Sequence, residues 1–181
     1  MYSLVCTRFN QKTWEENQNY RNKFNFKGCI YGVQHTISPK ILLDSYVFVV
    51  EMNNSTNNIE GIGLIKNKAN LDRVHRIYDD PNYNRFIYKG NFYINRKDLL
   101  IYDENMVKIF DYILFKEKTH LKRGSGFVTI PDKLLKHNIC ENRDIKSDIK
   151  HLFKRVFTIM NNDLDLISFE KITKPILIIE E

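Results

Sequence analysis

The sequence is poor in the residues that carry most recognisable chemistry. It has three cysteines, Cys6, Cys29 and Cys140, odd in number, far apart and without a C-x-x-C pair. That spacing excludes a zinc knuckle and argues against a disulfide framework, so reduced, buried thiols in a reducing compartment are expected. Five histidines, at 35, 75, 120, 137 and 151, show neither H-x-x-x-H nor H-E-x-x-H spacing, and no G-x-S-x-G occurs. Acidic residues do not gather as a two-metal nuclease needs. The best pairs, Asp79-Asp80 and Glu15-Glu16, sit in turn-like or polar stretches. No apolar run approaches ~20 residues, so no membrane-spanning helix is expected. No charged leader followed by an apolar stretch opens the chain, so no secretory signal is expected. The expectation is a protein without metal or cofactor, and nothing argues for an enzyme.

What the chain does have is an ordinary globular profile and an excess of positive charge. Its 181 residues are 43% hydrophobic and 28% charged. A chain of this length buries roughly 70% of its unfolded surface and needs no staple to fold. The formal net charge is +6. Excess lysine and arginine attract polyanions by phosphate neutralisation, and also keep a small protein in solution. Aromatic residues are abundant, with 12 Phe and 10 Tyr beside one Trp, and such rings either fill a core or stack on bases. Asparagine, lysine and isoleucine are over-used, a drift that AT-rich genomes produce, as in some large DNA viruses or some protists. The expected location is intracellular, cytoplasmic or nuclear, with the host cell of a large DNA virus as one setting.

Along the chain, residues 1–7 read as a strand and 12–24 as a short helix or structured loop. Residues 29–33 are β-rich. The run Tyr46-Val47-Phe48-Val49-Val50 is β-branched and aromatic throughout, as in a strand buried on both faces. A polar turn at 53–58 leads to a strand at 59–66, giving a hairpin, and Gly61 and Gly63 inside it signal a bulge or a close backbone approach. Residues 86–88 and 91–94 read as strand, turn, strand. A helix is expected over 103–115, a basic loop over 116–126, and a short helix over 132–137. Helix 143–160 carries the strongest pattern, with Ile145, Ile149, Leu152, Phe153, Val156, Phe157 and Met160 on one stripe and Lys146, Lys150, Lys154 and Arg155 on the other face. Residues 175–179 read as a closing strand. There is no repeat and no linker long enough to force a boundary, so residues 1–181 are read as one domain with 140–181 as a helical C-terminal extension.

Four stretches are candidates for binding chemistry. In the first, Lys116, Lys118, His120, Lys122 and Arg123 pack five potential cations into eight residues opposed only by Glu117, and Gly124-Ser125-Gly126 follows. Glycines let backbone N–H groups turn toward a phosphate while adjacent cations neutralise it. The loop is not a P-loop, because the Walker spacing is absent. The plainer alternative is a solvated basic turn. In the second, Tyr31, Gly32 and Val33 are followed by Gln34, His35 and Thr36, whose amide, imidazole and hydroxyl groups suit a base edge or a sugar. Tyr31 is placed to stack or line a pocket, or else is core. The third, Arg73 to Arg76 with Arg85, and the fourth, the basic face of helix 143–160, read equally well as solvated surface.

The block from Gly28 to Ile65 carries a resemblance. A strand ends in Tyr31-Gly32-Val33-Gln34-His35-Thr36, a loop leads to the apolar strand 46–50, and a polar turn precedes Ile59-Glu60-Gly61-Ile62-Gly63-Leu64-Ile65. This order resembles the PUA-like superfamily, especially its EVE and YTH branches, over roughly residues 1–100. The strand at 2–7 and the segment 84–88 fit the same scheme. The resemblance implies an α/β (α+β) fold, a strongly curved β-barrel flanked by helices, here with a long C-terminal amphipathic helix. It also implies recognition of RNA or DNA, often at a modified base in an aromatic pocket, with Tyr31, Val33, Gln34, His35 and Thr36 at the pocket mouth. YTH relatives place a cage tryptophan where this chain has Gln34. What remains is a hydrogen-bonding pocket, or one lined by Tyr31 and another aromatic such as Trp14.

The expectation is therefore a non-catalytic nucleic-acid-binding module, RNA ahead of DNA. His120, Lys122, Arg123 and Ser125 would lie toward phosphate and the 31–36 segment toward a base. It requires the glycine-valine step and the cationic glycine loop to share one face. Two alternatives stand beside it. One is a protein-interaction or assembly subunit with incidental charge. The other is a nucleotide- or nucleic-acid-directed enzyme using His35 or His120 as general base.

Overall fold

In the computed structural model the chain is described over residues 2–71, 74–116 and 120–160. The expected strand at 175–179 lies outside the described residues. A five-stranded sheet in the order β6-β4-β3-β1-β7 forms the middle layer. Its strands are β1 (Ser3–Phe9), β3 (Tyr46–Asn53), β4 (Asn58–Lys66), β6 (Phe92–Asn95) and β7 (Val128–Thr129). A second sheet pairs β2 (Cys29–Val33) with β5 (Phe86–Gly90). The fold is a mixed α+β arrangement, and among the described residues the strands make two sheets with no closed barrel.

The apolar run of β3 has a direct physical reason. Strand side chains alternate between faces, and each face of β3 meets its own core. Phe48, Val50 and Met52 join a core with α2 (Arg96–Phe115), α3 (Asp132–Leu135) and α4 (Ile145–Met160). Val47 and Val49 face a second core built from β2, β5 and residues 37–41 and 77–78. Helix α1 (Gln11–Lys23) packs Trp14 and Tyr20 onto that second core. The sheet is thus covered on both sides, and no residue of β3 from Val47 on is free to be polar unless it has a partner.

The stripe on α4 docks as amphipathic helices do: Phe153 meets Phe48 at 5.0 Å and Phe157 meets Phe92 at 4.9 Å. Its basic face is spoken for in part, since Lys146 pairs with Asp132 and Arg155 donates to the Tyr102 carbonyl. Strands β1 and β3 run parallel, so the chain between them, α1 and β2, crosses over one face.

Two local expectations change and a third is narrowed. Strands β5 and β6 are both present, but they do not form a hairpin with each other: β5 pairs with β2 and β6 with β4. Gly90 turns the chain between sheets, and a Cβ there would run into the Leu64 backbone. Helix α2 begins at Arg96, seven residues before the expected start, and is interrupted at Asp103. There Asp103 accepts a hydrogen bond from the Met106 amide and caps the second segment. The two glycines of β4 are close-approach sites, since side chains there would strike Tyr93 at Gly61 and Tyr31 and Cys29 at Gly63.

Candidate functional site

Strands β1 and β3 end side by side, with Phe9 opposite Asn53, and a cleft of about 170 Å³ opens at that end of the sheet. One wall is the end of β1 and the start of α1, with Thr7, Arg8, Phe9, Asn10 and Thr13. Asn10 caps α1 in a reciprocal box, accepting from the Thr13 amide at 2.9 Å while its own amide donates to Thr13 Oγ1 at 3.0 Å. The Gln11 amide is satisfied by Ser55 Oγ at 3.0 Å. The helix end therefore closes much of its own amide edge.

The opposite wall is Gly32 and Val33 at the end of β2, with Tyr78 and Tyr83 beside them. Gly32 has to be glycine, because a side chain would collide with the Tyr83 carbonyl. Tyr78 is held from behind: its hydroxyl accepts from Asn17 Nδ2 at 3.0 Å, and its ring meets Tyr83 edge-on with centroids 6.0 Å apart. Burial pushes the Tyr78 phenol far above its ordinary range, so it stays neutral.

Gly124, Ser125 and Gly126 form the third wall. A Cβ at Gly126 would lie 3.8 Å from that of Val33, so the glycine-valine step and the glycine loop do face one cleft. The loop is anchored from inside. Arg8 donates through Nε to the Leu121 carbonyl at 2.6 Å and through Nη1 to the Gly126 carbonyl at 3.3 Å. Asn54 Nδ2 donates to the Lys122 carbonyl at 2.9 Å. Lys122 reaches Asn57 Oδ1, a neutral partner, so its charge is not cancelled there. Among the described residues no aspartate or glutamate lines the cleft, and Arg8 is the one charged residue in its walls.

The sequence-derived candidates separate into groups. Val33 and Ser125 line the cleft. Lys122 is half-buried and Arg123 exposed on the same loop, His120 is half-buried just before it, and Gln34, His35 and Thr36 lie at the rim, partly or fully exposed. Tyr31 is a correction: it is 1% exposed, packed among β2, β4 and Phe127, and belongs to the core rather than to a pocket mouth. Burial raises its phenol well above the usual value. Trp14 is half-buried and packs edge-on against Phe9, behind the wall rather than in it. Arg73 lies outside the described residues, and His75 is buried against the Tyr20 hydroxyl at 2.6 Å.

The residues that sequence reasoning missed are Arg8, Asn10, Asn54, Tyr78 and Tyr83. The one available signal was Arg8, a lone charge closing an apolar strand. Burial pushes the Cys6 and Cys29 thiols up to about 11 and about 12, so neither is a nucleophile. Among the described residues no three His, Cys, Asp or Glu side chains gather as metal ligands, and no helix is long and apolar enough to cross a membrane. Comparison with protein-family models, with curated proteins and with solved structures finds no match to this chain.

Proposed function

We propose that this chain is a non-catalytic nucleic-acid-binding module that reads a base in the cleft at the end of β1 and β2, with RNA ahead of DNA. The observation that carries the reading is the meeting of Gly32 and Val33 with Gly124, Ser125 and Gly126 across one cleft lined, among the described residues, by no acidic group. Tyr83, half-buried, offers ring surface, with the buried Phe9 and Tyr78 backing the wall, while Asn10, Thr13 and Asn54 offer donors and acceptors suited to a base edge. The cleft is smaller than the ~300–1,000 Å³ of sites for drug-sized ligands, which suits one flat heterocycle. Lys122 and Arg123 add the positive charge that draws a polyanion. The proposed architecture is a PUA-like barrel in open form, with the β2–β5 pair folded over one face of the main sheet.

A second reading has its own observation. Leu42, Leu43, Leu71 and Val74 are each more than three-quarters exposed, which fits a protein-interaction subunit. One set of measurements separates the two: binding of single-stranded and duplex RNA and DNA at two salt concentrations, alongside gel filtration. Salt-sensitive binding that favours single strands supports the base reader. No binding to any of the four, with an apparent mass well above the 21.7 kDa monomer, supports the interaction subunit.

A further inference from the structure

The glycine loop is built inside out. In most turns carbonyl and amide groups are both turned to water or to each other. Here three of the loop's carbonyls are drawn inward: Leu121 and Gly126 to Arg8, and Lys122 to Asn54. The amides of residues 122–126 have no hydrogen-bond partner among the described residues. Gly124 and Gly126 hold φ of +105° and +63°, a positive-φ backbone that glycine adopts without strain. Arg8 Nη2 is itself buried without a partner beneath Gly124, so an uncompensated donor and a cationic charge lie under the same turn. An anion seated on the amide edge would meet main-chain donors, the buried guanidinium charge and the Lys122 and Arg123 side chains together.

From this arrangement we infer that residues 122–126 form a main-chain phosphate site, with Arg8 and Asn54 as the positioning residues that hold its amides outward. The site takes one phosphate group. Because Gly124, Ser125 and Gly126 also wall the cleft, that phosphate belongs to the same nucleotide whose ring enters it. This second step rests on the nucleic-acid reading above, whereas the first does not.

The test uses the full chain, labelled with ¹⁵N, and inorganic phosphate titrated against chloride at constant ionic strength. Saturable shifts at the Arg123, Gly124, Ser125 and Gly126 amides, absent elsewhere in the spectrum, are expected. A response no larger than that of distant amides overturns the site. Arg8→Lys keeps the charge but cannot span two carbonyls with a planar fork. Its phosphate affinity should fall about tenfold, the equivalent of one charge-assisted hydrogen bond, with the other amides unmoved. Full affinity in that variant refutes the positioning role, as does full affinity in Asn54→Ala, which serves if Arg8→Lys fails to fold. Each ribonucleoside is then compared with its 5′-monophosphate. A monophosphate that binds more tightly than either its nucleoside or inorganic phosphate supports the joint site. Loop shifts with phosphate but no gain from any base would leave the phosphate site standing and remove the base reading. Nucleoside binding with a silent loop would do the reverse.

Discussion

Arg21, in the last turn of α1, donates through Nη2 to Glu51 Oε1 of β3 at 2.5 Å, and both side chains are sealed from solvent. Tyr93 closes the unit: its hydroxyl donates to Glu51 Oε2 at 2.8 Å, and the Arg21 guanidinium lies 4.4 Å from its ring centre. Burial works against the charged guanidinium, yet the adjacent carboxylate holds it charged, well above its ordinary value. Removing one partner strands a buried charge. Glu51→Gln should therefore cost about 3–5 kcal/mol of stability by urea denaturation. Replacing both, as Arg21→Met with Glu51→Leu, should return more than half of that, with the remainder lost because the Tyr93 hydroxyl keeps only its long contact to the Glu60 carbonyl, at 3.4 Å. A double variant as unstable as the single one would refute this account. The pair also bears on the cleft, since Asn17, one turn earlier on α1, holds the Tyr78 hydroxyl.

Tyr31 gives a prediction of opposite sign. Its hydroxyl is buried with no oxygen or nitrogen partner, its one polar neighbour being the Cys29 sulfur, a weak acceptor. An unpaired buried hydroxyl is a cost that phenylalanine removes. Tyr31→Phe should be as stable as the parent or more so, and should bind nucleic acid unchanged. A loss of affinity without a loss of stability would return Tyr31 to the site.

The contrast between Glu51 and Tyr31 also shows what sequence can and cannot convey here. The central strand was legible because a two-sided core leaves an unbroken apolar run, as in Val47 to Val50, and α4 was legible because its docking face repeats every three or four residues. Pairing was not legible. Lys89-Gly90-Asn91 has the composition of a hairpin turn, yet Gly90 is needed where the chain steps past Leu64 from one sheet to the other. Strand β7, two residues long, has too little length to show a period. At the cleft, the two glycine-containing stretches were legible as candidates because glycine and cations carry their own chemistry. The residues that complete it come from positions 8, 54 and 78, which are brought together only by the parallel β1–β3 ladder and the fold-over of β2. Arg8 stands out locally only as a charge closing an apolar strand; that it holds carbonyls 113 and 118 residues away leaves no trace in its neighbours.

Asp103 carries the pH dependence most open to test. Burial works against its carboxylate, but hydrogen bonds from Arg143, at 2.6 Å, and from the Met106 amide hold the group below its ordinary value. The folded state therefore binds fewer protons than the unfolded state between the two values. The stability this contributes is present in full above about pH 4, the unfolded value, and is lost as pH falls through the folded one. Asp103→Asn removes it, along with the tie from the α2 interruption to the start of α4. The variant should be about 1–2 kcal/mol less stable near neutral pH, discounting for partial exposure, and the gap to the parent should narrow as pH falls below about 4, the unfolded value, and on through the lowered folded one. The exposed Asp44, Asp79 and Asp132 are also depressed, but they act equally on both proteins and cancel in the difference. A gap that is constant with pH would assign the cost to packing alone.

The loop cations can be removed without touching the loop's carbonyl anchors, which makes them a test of phosphate contact. Asn54 holds Lys122 by its carbonyl and Arg8 holds Leu121 and Gly126 by theirs, so replacing the Lys122 and Arg123 side chains gives up only the exposed Lys122–Asn57 contact and leaves the three carbonyl anchors in place. Each neutralised phosphate contributes roughly 0.7–0.9 to the slope of log affinity against log salt. The Lys122→Ala, Arg123→Ala double variant should therefore bind more weakly at low salt and show a slope smaller by about 1.4–1.8, measured by fluorescence anisotropy over a salt series. Lys133→Ala with Lys136→Ala, an equal loss of charge on α3 and the residue that follows it, against the opposite core, should lower affinity slightly through the general field and leave the slope near that of the parent. If both double variants reduce the slope alike, the attraction belongs to net charge and not to this loop. If neither does, nucleic acid is bound elsewhere or not at all, and the cleft loses its claim to a polymeric ligand.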